Sequence, residues 1–318
     1  MTTAYTLDHL VIAVRDLDRA TESYHALLGL APSWRGRHPT YGTANVLFRL
    51  PDTYIELLAP DAAGLRGGRD PRPATHDPPS PSLRALLAHL DRAGEGLYAI
   101  ALGTDDIQAT VAAARGRGLA VDDPAAGDGV DLDTGARREW TNARIDPRTA
   151  RGVRAFFIQH RSPAGALPLA AREAQTGVVT GVDHVVVTSS DLDATLALWR
   201  DTIGLDLRRT VAWSGERTLH FLRLGATILE LAGRPGSPRE GASLDDDRTN
   251  DQQPTTRDLL WGVSYRVDDA ARAVERLRAR GIDVSDARAG RADHTIVADL
   301  KPGFSHDVRT LFIQKETP

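Results

Sequence analysis

The chain of 318 residues has no cysteine. That absence removes disulfides, thiolate zinc sites, a cysteine nucleophile and cysteine-held iron–sulfur clusters. Any metal must then be held by His, Asp, Glu, Gln, Asn or backbone oxygen. Aromatic residues are only 5% of the chain and the sole methionine is Met1. No apolar run approaches the length of a membrane span. The first residues, Met1-Thr2-Thr3-Ala4-Tyr5, lack a charged segment followed by an apolar stretch, so no signal peptide is visible. Neither sign of charge dominates: the net charge is −4 and the basic residues are scattered, which leaves no footprint for nucleic acid. The expectation is a cytoplasmic enzyme or binding protein. Its partner would be a small-molecule substrate, with no nucleic acid and no membrane, and a homodimer is left open.

What is present is the balance of a globular protein, 41% apolar and 26% charged, with a length that suggests two domains. Two stretches are versions of one another. Leu7-Asp8-His9-Leu10-Val11-Ile12-Ala13-Val14 matches Val182-Asp183-His184-Val185-Val186-Val187-Thr188. Each histidine is answered further on by a glutamate between apolar residues, in Tyr54-Ile55-Glu56-Leu57-Leu58 and Ile228-Leu229-Glu230-Leu231. Asp16/Asp191, Leu17/Leu192, Tyr24/Trp199 and Gly29/Gly204 align on the same offset, which indicates a duplication.

Within each copy an apolar strand is followed by an Asp N-cap, a helical spacing of apolar residues and a glycine suited to a left-handed C-cap. In the first copy a short extended piece is expected near Ala31–Arg35, and clearer strands at Ala44–Leu50 and Tyr54–Ala59. Each copy therefore reads β-α-β-β-β. A weaker pair of repeats follows: Leu97–Leu102 with Leu260–Tyr265, then Asp105-Asp106 with Asp268-Asp269. They close on Val153–Gln159 and Val308–Gln314. Ser82 is a candidate cap for a helix presenting Leu83, Leu86, Leu87 and Leu90. The long loops Asp61–Pro81 and Gly233–Asp258 suit lids or mobile connections, and Asp245-Asp246-Asp247 reads as a solvated run.

Four β-α-β-β-β modules, with His on the first strand and Glu on the fourth strand of modules one and three, resemble the vicinal oxygen chelate superfamily. The first half is most similar to its glyoxalase-like branch, through Leu7-Asp8-His9, His38-Pro39-Thr40-Tyr41-Gly42-Thr43-Ala44-Asn45 and Tyr54-Ile55-Glu56-Leu57-Leu58. The resemblance implies an α+β fold in which the modules form two glyoxalase-like half-open barrel domains in tandem. These would be residues 1–162 and 181–318, joined by a linker at 163–180. It also implies His9, Glu56, His184 and Glu230 as metal ligands. Modules two and four depart from the pattern, carrying Tyr98 and Trp261 where histidine is expected and Gln159 and Gln314 near the glutamate position. Gln159 and Gln314 are carried as candidate neutral ligands. His38, Asn45, Tyr98, Trp140, Trp261 and His294 are candidates for the substrate cavity. His160, His220 and His306 have no repeat support and receive no role.

A His–Glu pair with Gln and water suits a divalent transition metal: Zn, Ni, Co, Mn or Fe. The alternative is that His9 and Glu56 bond to each other without metal. Modules one and three facing each other would give two His and two Glu, whereas tandem members usually pair one with two and three with four. The leading functional expectation is a metal-dependent lyase or isomerase of glyoxalase type acting on a small oxygenated substrate, with Glu56 or Glu230 moving a proton. An extradiol-type ring-cleaving dioxygenase is the second reading, and Trp261 at the expected histidine counts against it. The third is a non-catalytic protein that binds a small molecule such as a drug.

Overall fold

The computed structural model describes residues 5–61, 79–174, 176–212, 218–233 and 258–316. The acidic run Asp245–Asp247 and most of both long loops lie outside them. Module one consists of β1 (Thr6–Ala13), α1 (Leu17–Leu28), β2 (Trp34–His38), β3 (Thr43–Arg49) and β4 (Tyr54–Pro60). Asp16 accepts from the Arg19 backbone N–H at 3.0 Å, and Gly29 ends α1 at φ 69°. That conformation costs a side chain with Cβ about 1 kcal/mol and glycine almost nothing.

Two local expectations shift. β2 begins at Trp34, because Ala31 N–H bonds to the Ala171 carbonyl and Leu30 bridges Arg172, so the ladder with β3 opens at the pair Trp34–Leu47. Helix α2 (Pro81–Ala93) is capped by Ser80, whose hydroxyl accepts from Leu83 N–H at 3.0 Å, and not by Ser82. Pro81 suits the first helical position because its missing N–H and fixed φ cost nothing there.

Module two contains β5 (Gly96–Gly103), α3 (Ile107–Gly116), β6 (Ala125–Asp131), β7 (Arg137–Arg144) and β8 (Ala155–His160). Module three has β9 (Val179–Ser189), α4 (Leu192–Ala197) running into a π-helical turn (Leu198–Ile203), β10 (Asp206–Ala212), β11 (Thr218–Leu224) and β12 (Thr227–Gly233). Module four has β13 (Leu259–Val267), α5 (Ala270–Ala279), β14 (Arg288–Ala289), β15 (Thr295–Asp299) and β16 (Arg309–Lys315). Each module is β-α-β-β-β. Among the described residues no helix is long and apolar enough to cross a membrane.

Modules one and two share one sheet, closed as a barrel in the order β1-β4-β3-β2-β6-β7-β8-β5. Modules three and four share a second, open sheet, β10-β11-β12-β9-β13-β16-β15-β14. His9 and His184 therefore belong to different sheets, and a facing of modules one and three is not what the chain builds.

The two halves pack on one continuous apolar core that takes Leu27, Leu28 and Ile107 from the first and Trp199, Ile203 and Leu277 from the second. Polar contacts repeat across the junction. Arg151 Nε bonds to Asp258 Oδ2 at 3.1 Å, and His306 Nδ1 meets Glu95 Oε2 at 2.5 Å. Arg117 donates to the carbonyls of Thr202 and Ile203, while Arg276 donates to those of Ala26 and Leu27. Arginine thus caps a helix end of the opposite half, where the exposed carbonyls carry the negative end of the dipole.

Candidate functional site

Alternation along the strands decides what enters the first barrel. His9 on β1, Asn45 on β3, Tyr54 and Glu56 on β4, Arg138 and Trp140 on β7 and Phe156 on β8 face a common cavity of about 800 Å³. The register of β1 slips between Leu7 and His9, a local irregularity that leaves Asp8 beside the imidazole.

Seven side chains, His9 among them, join in one line of hydrogen bonds and close polar contacts. Its Nδ1 is 2.6 Å from Asp8 Oδ1, and the other Asp8 oxygen is 2.9 Å from Nε2 of His160. His9 Nε2 is 3.3 Å from Glu56 Oε2. Glu56 Oε1 accepts from the Asn45 amide at 2.8 Å, and the same nitrogen lies 3.2 Å from His38 Nε2. Because Asn45 donates there, His38 carries its proton on Nδ1 and donates to Thr43 Oγ1 at 3.1 Å. The Asn45 Oδ1 atom is buried and has no partner.

The electrostatics follow from these contacts. Burial alone would lower His9, but its hydrogen bonds to Asp8 and Glu56 outweigh that and raise it to about 9. Burial would raise Glu56, yet the His9 hydrogen bond and charge bring it down to about 2. At neutral pH the pair is therefore imidazolium and carboxylate. Burial lowers His38, leaving it a neutral imidazole. Asp8 is held well below the usual carboxylate range, because its bonds to His160 and His9 outweigh the burial that opposes them.

The second half keeps the outline with a looser pairing. His184 Nδ1 is 3.0 Å from Asp183 Oδ2, but Nε2 is taken by the Ser264 hydroxyl at 2.7 Å, and Glu230 stands off at 3.6 Å. Burial consequently pushes Glu230 up. Lys315 reaches Asp183 at 2.5 Å where His160 reaches Asp8 in the first half.

Of the other candidates, His38, Asn45, Tyr98 and Trp140 line the first cavity with His9 and Glu56. The remainder do not converge with them. Gln159 is spent on the head of α3, its carbonyl accepting from Ile107 N–H and its amide donating to the Asp105 carbonyl. Gln314 accepts from Ala270 N–H at the head of α5 in the same way. Trp261 is 47% exposed beneath the Arg309 guanidinium. His294 is exposed in a turn with φ 57°.

Strand register explains why the even modules add no ligand. β1 and β5 run antiparallel, and symmetry about the pair Leu10–Ile100 places Ala99 as the counterpart of His9. Glu56 sits opposite Val11, and its counterpart, opposite Ala101, is Phe156. In the second sheet the counterparts of His184 and Glu230 are Gly262 and Leu311. Each half thus supplies one histidine and one glutamate. Among the described residues no three His, Asp or Glu side chains converge in a metal-binding group. Catalytic sites for such ions ordinarily use three protein ligands, so the donor set present does not fit a divalent transition metal held in the family's manner.

Sequence reasoning also missed Trp34, Tyr54, Arg138 and His160. His160 had one readable signal: each closing strand ends in Gln followed by a basic residue, His160 or Lys315.

The description "Glyoxalase-like domain" matches residues 7–201, and "Glyoxalase/Bleomycin resistance protein/Dioxygenase superfamily" matches residues 183–298. The chain belongs to the glyoxalase-like family. With it comes membership of the vicinal oxygen chelate superfamily, in which this glyoxalase-like protein is a tandem duplication. No curated protein matches it. Among solved structures, a 4-hydroxymandelate synthase variant from Streptomyces coelicolor aligns with TM-score 0.62 at 15% identity, covering 99% of this chain and 93% of that one. The Mn(II)-bound glyoxalase from Novosphingobium aromaticivorans aligns with TM-score 0.60 at 15% identity, covering 99% and 83%. A hypothetical protein from Staphylococcus aureus gives 0.59 at 15% identity, covering 98% and 99%. At these identities the likeness is one of fold.

Proposed function

We propose that the first barrel is a glyoxalase-type lyase or isomerase that moves a proton beside the carbonyl of a small oxygenated substrate. The observation that carries this reading is the buried His9–Glu56 ion pair facing a cavity of about 800 Å³. Proton removal next to a carbonyl puts negative charge on its oxygen, and a positioned cation in a water-poor site stabilises that charge by several kcal/mol. His9 is that cation, and Asp8 keeps it protonated and oriented. Glu56 is the carboxylate that takes up and returns the proton, positioned by the Asn45 amide. His160 and Asp8 connect His9 to the surface.

The Mn(II) of the Novosphingobium protein, and the wider set of Zn, Ni, Co, Mn or Fe, would need ligands beyond the two this cavity supplies. The same shortage removes support from extradiol ring cleavage, which needs two histidines and a carboxylate together. A second reading, a non-catalytic small-molecule binder, is favoured by the aromatic wall of Trp34, Tyr54, Trp140 and Phe156.

The test is deuterium uptake from D₂O at the carbon beside the carbonyl of small oxo acids and aldehydes, followed by NMR. Exchange that vanishes in His9→Asn and stays within about twofold after chelator dialysis is expected. Binding without exchange in any substrate would leave the binder reading, and exchange restored only by added metal would overturn the two-donor assignment.

A further inference from the structure

Three arginines line the cavity: Arg144 pairs with Asp122, Arg154 lies over the Tyr98 ring, and Arg138 is the most buried of them. Arg138 on β7 is only 7% exposed, yet no carboxylate among the described residues pairs with it. Its guanidinium lies 5.6 Å from the Trp34 ring centroid and 5.5 Å from that of Tyr54, and it interacts with the Tyr54 hydroxyl. The acids around it are committed elsewhere. Asp128 pairs with Arg137, Asp122 with Arg144 and Glu56 with His9, while Asp131 accepts the backbone N–H groups of Arg35, Asp133 and Thr134. Two inward-turned arginines elsewhere are satisfied: Arg151 holds Asp258, and Arg276 holds helix-end carbonyls.

A buried charge without a partner is costly, and a site that keeps one is made to receive its opposite. Guanidinium binds a carboxylate through two parallel hydrogen bonds, while aromatic faces beside it accept a flat apolar body. The Tyr54 ring joins this point to the reaction centre, because His9 stacks on it at 4.4 Å between centroids.

We propose that Arg138 anchors a carboxylate, so that the ligand of the first barrel is a small organic acid with a planar or aromatic body. The acid group sits on Arg138, the body lies among Trp34, Tyr54, Trp140 and Phe156, and the remainder reaches the His9–Glu56 pair. This rests on the reading of the cavity as the substrate site, but not on the proton chemistry assigned to Glu56.

The experiment is calorimetric titration of the full chain with benzoate and phenylacetate against their neutral isosteres, benzamide and phenylacetamide. The acids are expected to bind at least about tenfold more tightly than the amides. In Arg138→Met the ratio should fall to within about twofold, with amide binding retained and a melting temperature no lower than that of the parent. Arg138→Lys keeps the charge without the fork and should lie between. Glu56→Gln should keep the acid preference, which separates a failure of the proton chemistry from a failure of this proposal. Equal affinity for acids and amides in the parent chain, or an unchanged preference in Arg138→Met, would overturn it.

Discussion

Replacing Glu56 by Gln keeps the shape of the side chain and removes its charge. His9 then loses the hydrogen bond and the attraction that Glu56 supplies, while Asp8 remains 2.6 Å from its other nitrogen. The imidazole, raised from 6.5 to about 9 in the parent, should therefore titrate lower by at least about one unit, equivalent to roughly 1.4 kcal/mol of interaction. Breaking a buried pair by removing one member typically costs about 3–5 kcal/mol, and the surviving Asp8 contact places this case toward the low end. The pH dependence has a definite sign. His9, with its value raised, contributes stability fully below pH 6.5 and loses it as pH rises through about 9. Glu56, with its value lowered, contributes stability above pH 4.5 and loses it as pH falls through about 2. The parent's advantage over Glu56→Gln should be largest between pH 4.5 and 6.5 and shrink on both sides. The assay is NMR titration of histidine ring carbons, with His9 assigned by its loss in His9→Asn, alongside urea melts across the pH range. A parent His9 that titrates below pH 7, or one that does not move in Glu56→Gln, would refute the ion-pair assignment.

Arg151→Met leaves the fully buried Asp258 carboxylate, among the described residues, with only Thr195 at 2.7 Å, so a loss of about 3 kcal/mol in urea unfolding is expected, and a loss under about 1 would show that the pair does not hold the halves together. In Gly36→Ala the new methyl would stand 2.1 Å from Trp34 Nε1 and 2.8 Å from the Val130 carbonyl, next to the two residue pairs that close the barrel. It should cost about 1–3 kcal/mol and shift tryptophan fluorescence to the red, whereas an unchanged spectrum and melting temperature would mean that the indole does not lie there.

The duplicated His-strand, Asp cap and Gly terminator made the four modules legible, because each is a local signal with a local cause. His9 and Glu56 were legible as a pair for the same reason: both repeat, and both lie on two-sided apolar strands. The residues that stand at the same places in the even modules were not. Choosing Gln159 over Phe156 is an error of side-chain parity on one strand, and nothing local separates the two faces when both are apolar. Only the ladder between β5 and β8, with Ala101 opposite Phe156, decides it. Tyr98 fell inside the cavity and Trp261 outside it although both stood at the same aligned position, because the first sheet closes and the second remains open. Arg138 was hidden for another reason. In a chain this rich in arginine, a buried guanidinium with no carboxylate partner among the described residues is identified by what surrounds it, and those neighbours come from β2 and β4, far away in sequence.

The division of labour between the halves rests on one contrast: Glu56 is 3.3 Å from the His9 nitrogen, whereas Glu230 is 3.6 Å from a His184 nitrogen that the Ser264 hydroxyl already meets at 2.7 Å. The most direct measurement is the rate of solvent deuterium exchange in an accepted oxo acid, compared between Glu56→Gln and Glu230→Gln. Glu56→Gln should lower the rate by at least about a hundredfold, in the range of a lost general base, while Glu230→Gln stays within about twofold of the parent. A Glu56→Gln variant that exchanges at the parental rate, or a Glu230→Gln variant that loses exchange, would contradict the assignment of the chemistry to the first barrel.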